Sequence, residues 1–313
     1  MSATDAPARA KFSDPYRTAR GETRAWVAPD RLHTLWFNTG TLCNLTCRTC
    51  YIESSPRNDR LVYLSAAEVA TYLDEAVRED LGTELVGFTG GEPFLNPALP
   101  AMLEAVLARG LRALVLTNAM RPMRKMEAAL RDLRRYGERL VIRVSLDHYT
   151  RAVHEAERGA RSFAPTLAGL RWLAAQGFRV HVAARRLTDE PEDSLRAGFA
   201  ALFAELGVPV DAQDPVAMTL FPQMDETADV PEITTACWEI LGRAPSEVMC
   251  ASSRMVVTRR GAAMPVVAAC TLLPYDARFE LGATLREAMR PVPLNHPHCA
   301  RFCVLGGAAC SRG

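Results

Sequence analysis

Between residues 51 and 236 the chain has no cysteine, although it has nine in all. Lysine is almost as scarce, occurring only at Lys11 and Lys125, so arginine carries nearly all the positive charge. The formal net charge is +1 over 313 residues. That is not the basic excess of a polyanion-binding protein, and nucleic acid is not expected as a partner. No apolar run reaches the length of a membrane span, so no membrane partner is expected either. The first two dozen residues are polar and rich in arginine and alanine, without the apolar stretch of a secretory signal. What is present is the composition of an ordinary globular protein, 49% hydrophobic, long enough for one large α/β domain and a small appendage. The expected location is the cytoplasm. Thiols stay reduced there, so nine cysteines argue for metal ligation rather than a disulfide framework.

The cysteines fall into two groups. Cys43, Cys47 and Cys50 form a tight Cys-x3-Cys-x2-Cys run, and Cys237, Cys250, Cys270, Cys299, Cys303 and Cys310 follow the cysteine-free body. Three thiolates so close together suit a soft metal or an iron–sulfur cluster. Three is one fewer than a closed four-coordinate site needs, which leaves one position open. A zinc site completed by a distant fourth ligand is the alternative.

The body alternates strands and helices. Strands are expected at 32–37, 84–88, 111–116, 140–146 and 178–184, with a sixth from 208 onward through 217–220. Helices are expected from Ser65, which opens a Ser-x-x-Glu capping box with Glu68, and at 98–108, 122–136, 163–175 and 191–206. Six strand–helix repeats imply right-handed crossovers and a mostly parallel sheet, with functional groups at the C-terminal strand ends. The cysteine run follows the first strand. Gly90-Gly91-Glu92-Pro93 follows the second: paired glycines let the backbone approach a ligand and present bare amides, Glu92 adds a carboxylate, and Pro93 stiffens the exit. Past residue 226, a connecting helix over 230–241 carries Cys237, read as a core residue rather than a ligand. A hairpin over 254–258 and 264–268 then brings Cys250 and Cys270 together at its open end, ahead of Cys299, Cys303 and Cys310.

The pairing of Cys43, Cys47 and Cys50 with Gly90-Gly91-Glu92-Pro93 resembles the radical S-adenosylmethionine (SAM) superfamily. The resemblance implies an α/β fold with a partial (β/α)6 barrel. It implies a 4Fe-4S cluster on the three cysteines, with SAM completing the open position. Reductive cleavage of SAM would give methionine and a 5′-deoxyadenosyl radical that abstracts a substrate hydrogen, with the electron from a flavodoxin- or ferredoxin-type donor. By the same resemblance Gly90, Gly91 and Glu92 hold the methionyl amine, with Pro93 beside them. Leu116-Thr-Asn-Ala119 is similar to the family's Thr-Asn-Gly, which brings Asn118 to SAM and puts Ala119 where Gly is usual. Val144-Ser-Leu-Asp147 places Ser145 and Asp147 near SAM, with His148 where Gly is usual. Arg158, in the segment from His154, is the candidate for the SAM carboxylate, and Arg161 the fallback. His148 and His154 are further pocket candidates.

The late cysteines resemble the auxiliary-cluster extensions called SPASM and twitch domains. They imply a second 4Fe-4S cluster on Cys250, Cys270, Cys299 and Cys303, with Cys310 competing with Cys303; a zinc site using His296 or His298 is the alternative. The expected organisation is a flexible arm over 1–30, the core over 31–222, a linker helix over 223–248, and the small cysteine-rich extension over 249–313, which begins with the β-hairpin. The expected activity is that of a radical SAM oxidoreductase carrying out an oxidative modification. The short segment before the first strand favours a small-molecule substrate over a peptide. The polar loop 52–60 is expected to frame the site or meet a partner. The alternative function is an iron–sulfur accessory or scaffold protein that does not cleave SAM.

Overall fold

The computed structural model describes residues 10–307 apart from Met224 and Glu226. Eleven strands are present among them: β1 (Trp26–Val27), β2 (Thr34–Asn38), β3 (Leu85–Thr89), β4 (Arg112–Thr117), β5 (Leu140–Ser145), β6 (Arg179–Arg185), β7 (Met218–Phe221), β8 (Ser253–Val257), β9 (Val266–Ala268), β10 (Glu280–Gly282) and β11 (Val292–Pro293). The helices α1 (Ala66–Arg78), α2 (Leu99–Ala108), α3 (Arg121–Arg124), α4 (Glu127–Leu133), α5 (Arg151–Arg158), α6 (Phe163–Ala175) and α7 (Glu192–Leu206) lie between β2 and β7, with the shorter α8 (Cys237–Leu241) and α9 (Leu285–Ala288) beyond.

Strands β2 to β7 pair in parallel and in chain order, making the centre of a nine-stranded mixed sheet. Parallel strands covered by helices are apolar on both faces, and β2 and β3 are buried at every position. Trp36 of β2 stands opposite Gly87 of β3, where a Cβ would come within 2.2 Å of the indole ring; the glycine is the space that the tryptophan fills. Helix α1 begins with the expected capping box: Glu68 N–H donates to Ser65 Oγ (3.2 Å), and Ser65 N–H donates to the Glu68 carboxylate (2.7 Å).

The expected hairpin exists as β8 and β9, but it does more than lead an appendage. Strand β8 pairs in parallel with β2, and the antiparallel strands β9 and β10 continue the same sheet beyond it. The sheet therefore stays open, ending at β10 on one side and β7 on the other.

Three expectations need correction. From residue 10 onward the stretch read as a flexible arm is anchored: Arg24 is buried and ion-paired with Glu232, and β1 pairs with β11. That same pairing leaves only Cys237–Leu241 of the expected 230–241 helix, because Thr234 bridges to Arg24 and Thr235 N–H donates to Thr23 O. The helix expected at 122–136 is instead two helices, α3 and α4, with a break at Met126 (φ −104°, ψ 17°), and a 3-10 turn over Arg134–Arg139 ends the stretch. Cys310 lies outside the described residues.

Candidate functional site

A cavity with about 1000 Å³ of open space lies across the C-terminal ends of β3 to β7. Cys43, Cys47 and Cys50 line it, together with Gly90, Gly91, Asn118, Ser145, Asp147 and Arg158. Nine candidate positions from five separate stretches of the chain therefore share one wall. Glu92 and Pro93 do not line the cavity; both are buried behind it.

The Gly-Gly-Glu turn frames the cysteine loop. The Gly91 and Glu92 amides are not bare: they donate to Gly40 O (2.8 Å) and Leu42 O (3.0 Å), tying the turn to the start of the cysteine loop. A Cβ on Gly91 would fall 2.1 Å from Leu42 O, and one on Gly90 (φ +137°) 2.4 Å from Gly40 O. The paired glycines are thus required by the cysteine loop itself. The Glu92 carboxylate accepts from Thr117 Oγ1 (2.7 Å), Asn118 N–H (2.9 Å) and Phe94 N–H (3.2 Å), fastening the turn to the end of β4. Burial pushes its pKa up to about 7 despite these donors.

The charged wall is a four-membered network. Arg158 Nε and Nη2 donate to the two oxygens of Asp147 (2.7 and 3.1 Å). Arg185 stands 3.5 Å from Asp147 Oδ1 and donates to Glu157 Oε1 (3.0 Å) and to Thr49 O (3.1 Å) and Oγ1 (2.5 Å). Glu157 also accepts from Thr49 N–H (2.9 Å). Burial works against the ionised Asp147, but Arg158 and Arg185 outweigh it and hold the carboxyl below its ordinary range. Thr49 lies between Cys47 and Cys50, so the network grips the cysteine loop from the side of α5 and β6. Burial, and next the nearby Glu92, push the Cys43 thiol up to about 12; burial also raises Cys47. Thiols held this way stay protonated until a metal displaces the proton.

Several expectations are refined. Arg158 lines the cavity, whereas Arg161 is exposed. His148 and His154 do not line it: His148 stacks on Tyr149 and faces Glu190, and His154 is buried edge-on to Phe163. Ala119 adopts the left-handed conformation (φ 57°) that glycine takes more readily, and Gly169 makes room for it, since a Cβ there would lie 1.8 Å from Ala119 O. In the 52–60 loop, Ile52 and Ser54 line the cavity, and the loop is pinned by Tyr275, which donates to Ile52 O (2.9 Å) and lies under the Arg60 guanidinium (3.6 Å). Thr49, Glu157 and Arg185 were missed. Arg185 was findable in principle, because strand alternation puts it on the same face of β6 as Ala183, opposite Ser145.

A second, apolar cavity with about 360 Å³ of open space is lined by Cys250, Cys270, Cys299 and Cys303, with His298 beside them. Burial raises Cys250 to about 11, and burial followed by the neighbouring Cys270 and Cys250 raises Cys299 well above its ordinary value. Cys237 is not in this wall; its Sγ accepts from Thr234 N–H (3.3 Å). The two cavities adjoin: Leu272 lines both, and Phe302 faces the first while Cys303 faces the second. Among the described residues no three His, Cys, Asp or Glu groups converge so as to hold a lone metal ion. The thiols of each set surround open space. No described helix is long and apolar enough to cross a membrane.

The family described as Radical SAM superfamily matches residues 37–196, just over half of the 313-residue chain. The subtilosin biosynthesis protein AlbA of Bacillus subtilis is 34% identical over 142 residues, 45% of this chain and 30% of AlbA. The mycofactocin maturase MftC of Mycobacterium ulcerans is 31% identical over 136 residues, 44% of this chain and 35% of MftC. The matched stretch thus spans about a third of the length of these curated relatives. Streptococcus suis SuiB bound to S-adenosylmethionine superposes with a TM-score of 0.61 at 13% identity, over 86% of this chain and 67% of SuiB. SuiB has also been solved bound to the precursor peptide SuiA, with a TM-score of 0.50 at 15% identity over 64% of this chain and 44% of SuiB.

Proposed function

The chain belongs to the radical SAM superfamily, and on that premise we propose that it is an oxidative radical SAM enzyme that modifies a peptide. One observation carries the reading: Cys43, Cys47 and Cys50 share a cavity with the Gly90–Gly91 turn, Asn118, Ser145, Asp147 and Arg158. The fit to a cluster and SAM rests on three thiols around open space and on the side-chain-free main chain of Gly90 and Gly91 in the same wall. Bound there, the cluster and SAM would supply one-electron chemistry able to remove a hydrogen atom from a substrate.

The chain's own residues hold and orient. Cys43, Cys47 and Cys50 would ligate three irons. Gly90 and Gly91 bring main chain to the wall beside them for the methionyl amine, with Glu92 fastening the turn from behind and Pro93 ending it. Arg158 would meet the methionyl carboxylate, its plane set by both Asp147 oxygens. Asn118 and Ser145 offer polar groups to the rest of SAM. Phe221 and Phe302 stack (5.4 Å between centroids) and, with Leu272, close the cavity on the side of the second cysteine set with apolar surface that keeps water out.

The second cavity supports an auxiliary 4Fe-4S cluster on Cys250, Cys270, Cys299 and Cys303, in a twitch-like extension over 249–313 beyond a partial (β/α)6 core over 31–222. Its shared wall with the first cavity suits an acceptor for the electron left on a substrate radical. A flavodoxin- or ferredoxin-type protein would reduce the first cluster. The peptide replaces the small molecule favoured by the sequence, because SuiB, which this fold resembles, has been solved with a precursor peptide.

The test is anaerobic reconstitution, reduction with dithionite and measurement of 5′-deoxyadenosine. Formation of this product supports the reading. A fully loaded protein that forms none would instead be an accessory or scaffold protein. Iron and sulfide analysis of the Cys43→Ala, Cys47→Ala, Cys50→Ala triple variant should leave one cluster's worth of iron; complete loss would sink the second site.

A further inference from the structure

Beside the second cysteine cavity lies a buried positive charge. Arg254, on β8, is 1% exposed. Its guanidinium donates to the main-chain carbonyl oxygens of Cys250, Ser253 (2.7 Å), Ala288 (2.9 Å) and Arg290 (3.2 Å). Among the described residues no carboxylate pairs with it, and the ionisable groups whose charge bears on it are Cys250 and Cys270. Three other buried arginines are balanced differently: Arg24 pairs with Glu232, Arg158 with Asp147 and Arg196 with Glu192.

Carbonyl dipoles satisfy the N–H groups of Arg254 but do not cancel its charge. A buried ion without a counter-ion costs several kcal/mol even after relaxation, and arginine does not escape by losing its proton. Four neutral thiols would leave that cost standing. Four thiolates on a metal cluster would not, because each loses its proton on ligation and the assembly is anionic. The cavity and the charge beside it are therefore complementary only when the cavity holds an anion.

We propose that Arg254 is the fixed counter-ion of an anionic, thiolate-held cluster in the Cys250, Cys270, Cys299 and Cys303 cavity, and that its charge raises the reduction potential of that cluster. This rests on the second-cluster reading above. Reduction adds one electron, and hence one negative charge, to the cluster. The electron comes from the titrating reductant, and no covalent bond of the protein forms or breaks. A nearby cation stabilises the more negative, reduced form. Arg254 acts through charge and position; it is not a catalytic residue.

The experiment uses the full chain carrying the Cys43→Ala, Cys47→Ala and Cys50→Ala changes, so that only the second cluster is observed. Iron content is measured first; absence of iron overturns the second-cluster reading, and is recognised before any potential is taken. Mediated dithionite titration, followed by electron paramagnetic resonance, then compares this parent with Arg254→Gln and Arg254→Lys. In Arg254→Gln the ratio of reduced to oxidised cluster at a given potential should fall about tenfold, equivalent to about 59 mV for a one-electron couple. Arg254→Lys, which keeps the charge but not the fork of hydrogen bonds, should stay within about twofold of the parent. An unchanged potential in Arg254→Gln overturns the proposal, as does an equal fall in Arg254→Lys. Should Arg254→Gln fail to fold, Arg254→Met, which also removes the charge, takes its place: a similar fall supports the proposal and an unchanged potential overturns it.

Discussion

Glu92 shows how one residue serves the site without facing it. Its carboxylate is fully enclosed, and burial raises its pKa from the ordinary 4.5 to about 7. A carboxyl whose pKa is higher folded than unfolded adds stability in its protonated form. That stability is complete below about 4.5 and is lost as the pH rises through about 7. In the cluster-free protein Glu92 should therefore oppose the gain in stability that His154, His181 and His296, held down to about 4 by burial, bring as the pH rises towards 6.5; Glu92→Gln should raise the thermal midpoint at pH 8 relative to that at pH 5, and the difference between the two proteins across this range is the measurement. Asp147 is the opposite case, a buried carboxylate kept ionised by Arg158 and Arg185. Asp147→Asn leaves the buried Arg158 without its carboxylate and Arg185 with Glu157 alone, and should destabilise the fold by about 3–5 kcal/mol in urea titrations, with weaker SAM binding in the reconstituted protein.

At the scale of elements, the site depends on loops lying against one another. The cysteine loop is gripped by the Gly90–Glu92 turn through Gly40 O and Leu42 O, and by α5 and β6 through Thr49, Glu157 and Arg185. Gly91→Ala would drive a Cβ to 2.1 Å from Leu42 O and part the turn from the loop. The expected outcome is a folded protein that reconstitutes with less iron at the first site; full iron loading would show that the loop adapts. Local patterns located most of these pieces. The capping box at Ser65 and Glu68, the apolar runs of β2 to β6 and the glycine turn are all signalled within a few residues of themselves. The shortened helix at Cys237 is not, because its start is set by Thr23 and Arg24, distant partners that local propensity does not contain; nor is the break at Met126.

For the whole molecule, β8 is the joint. It extends the core sheet alongside β2 and carries Arg254 at the second cavity, while the chain after it supplies Leu272 and Phe302 to the first. Ending the chain before residue 249 should leave β2 with an unpaired, apolar edge, and such edges aggregate. A truncated protein that stayed monodisperse in light scattering would show instead that the core stands without β8. The ligand types and their division into two groups could be read from residue order alone, because thiol chemistry and a Cys-x3-Cys-x2-Cys spacing are local properties. So could the run of six strand–helix units, because hydrophobic periodicity is local too. Tertiary structure decided which charges meet: Asp147 with Arg158 and Arg185, Glu92 with Thr117 and Asn118, and Arg254 with carbonyls beside four cysteines. Burial and ion pairing depend on residues brought together from distant parts of the chain, and a linear sequence does not display that proximity.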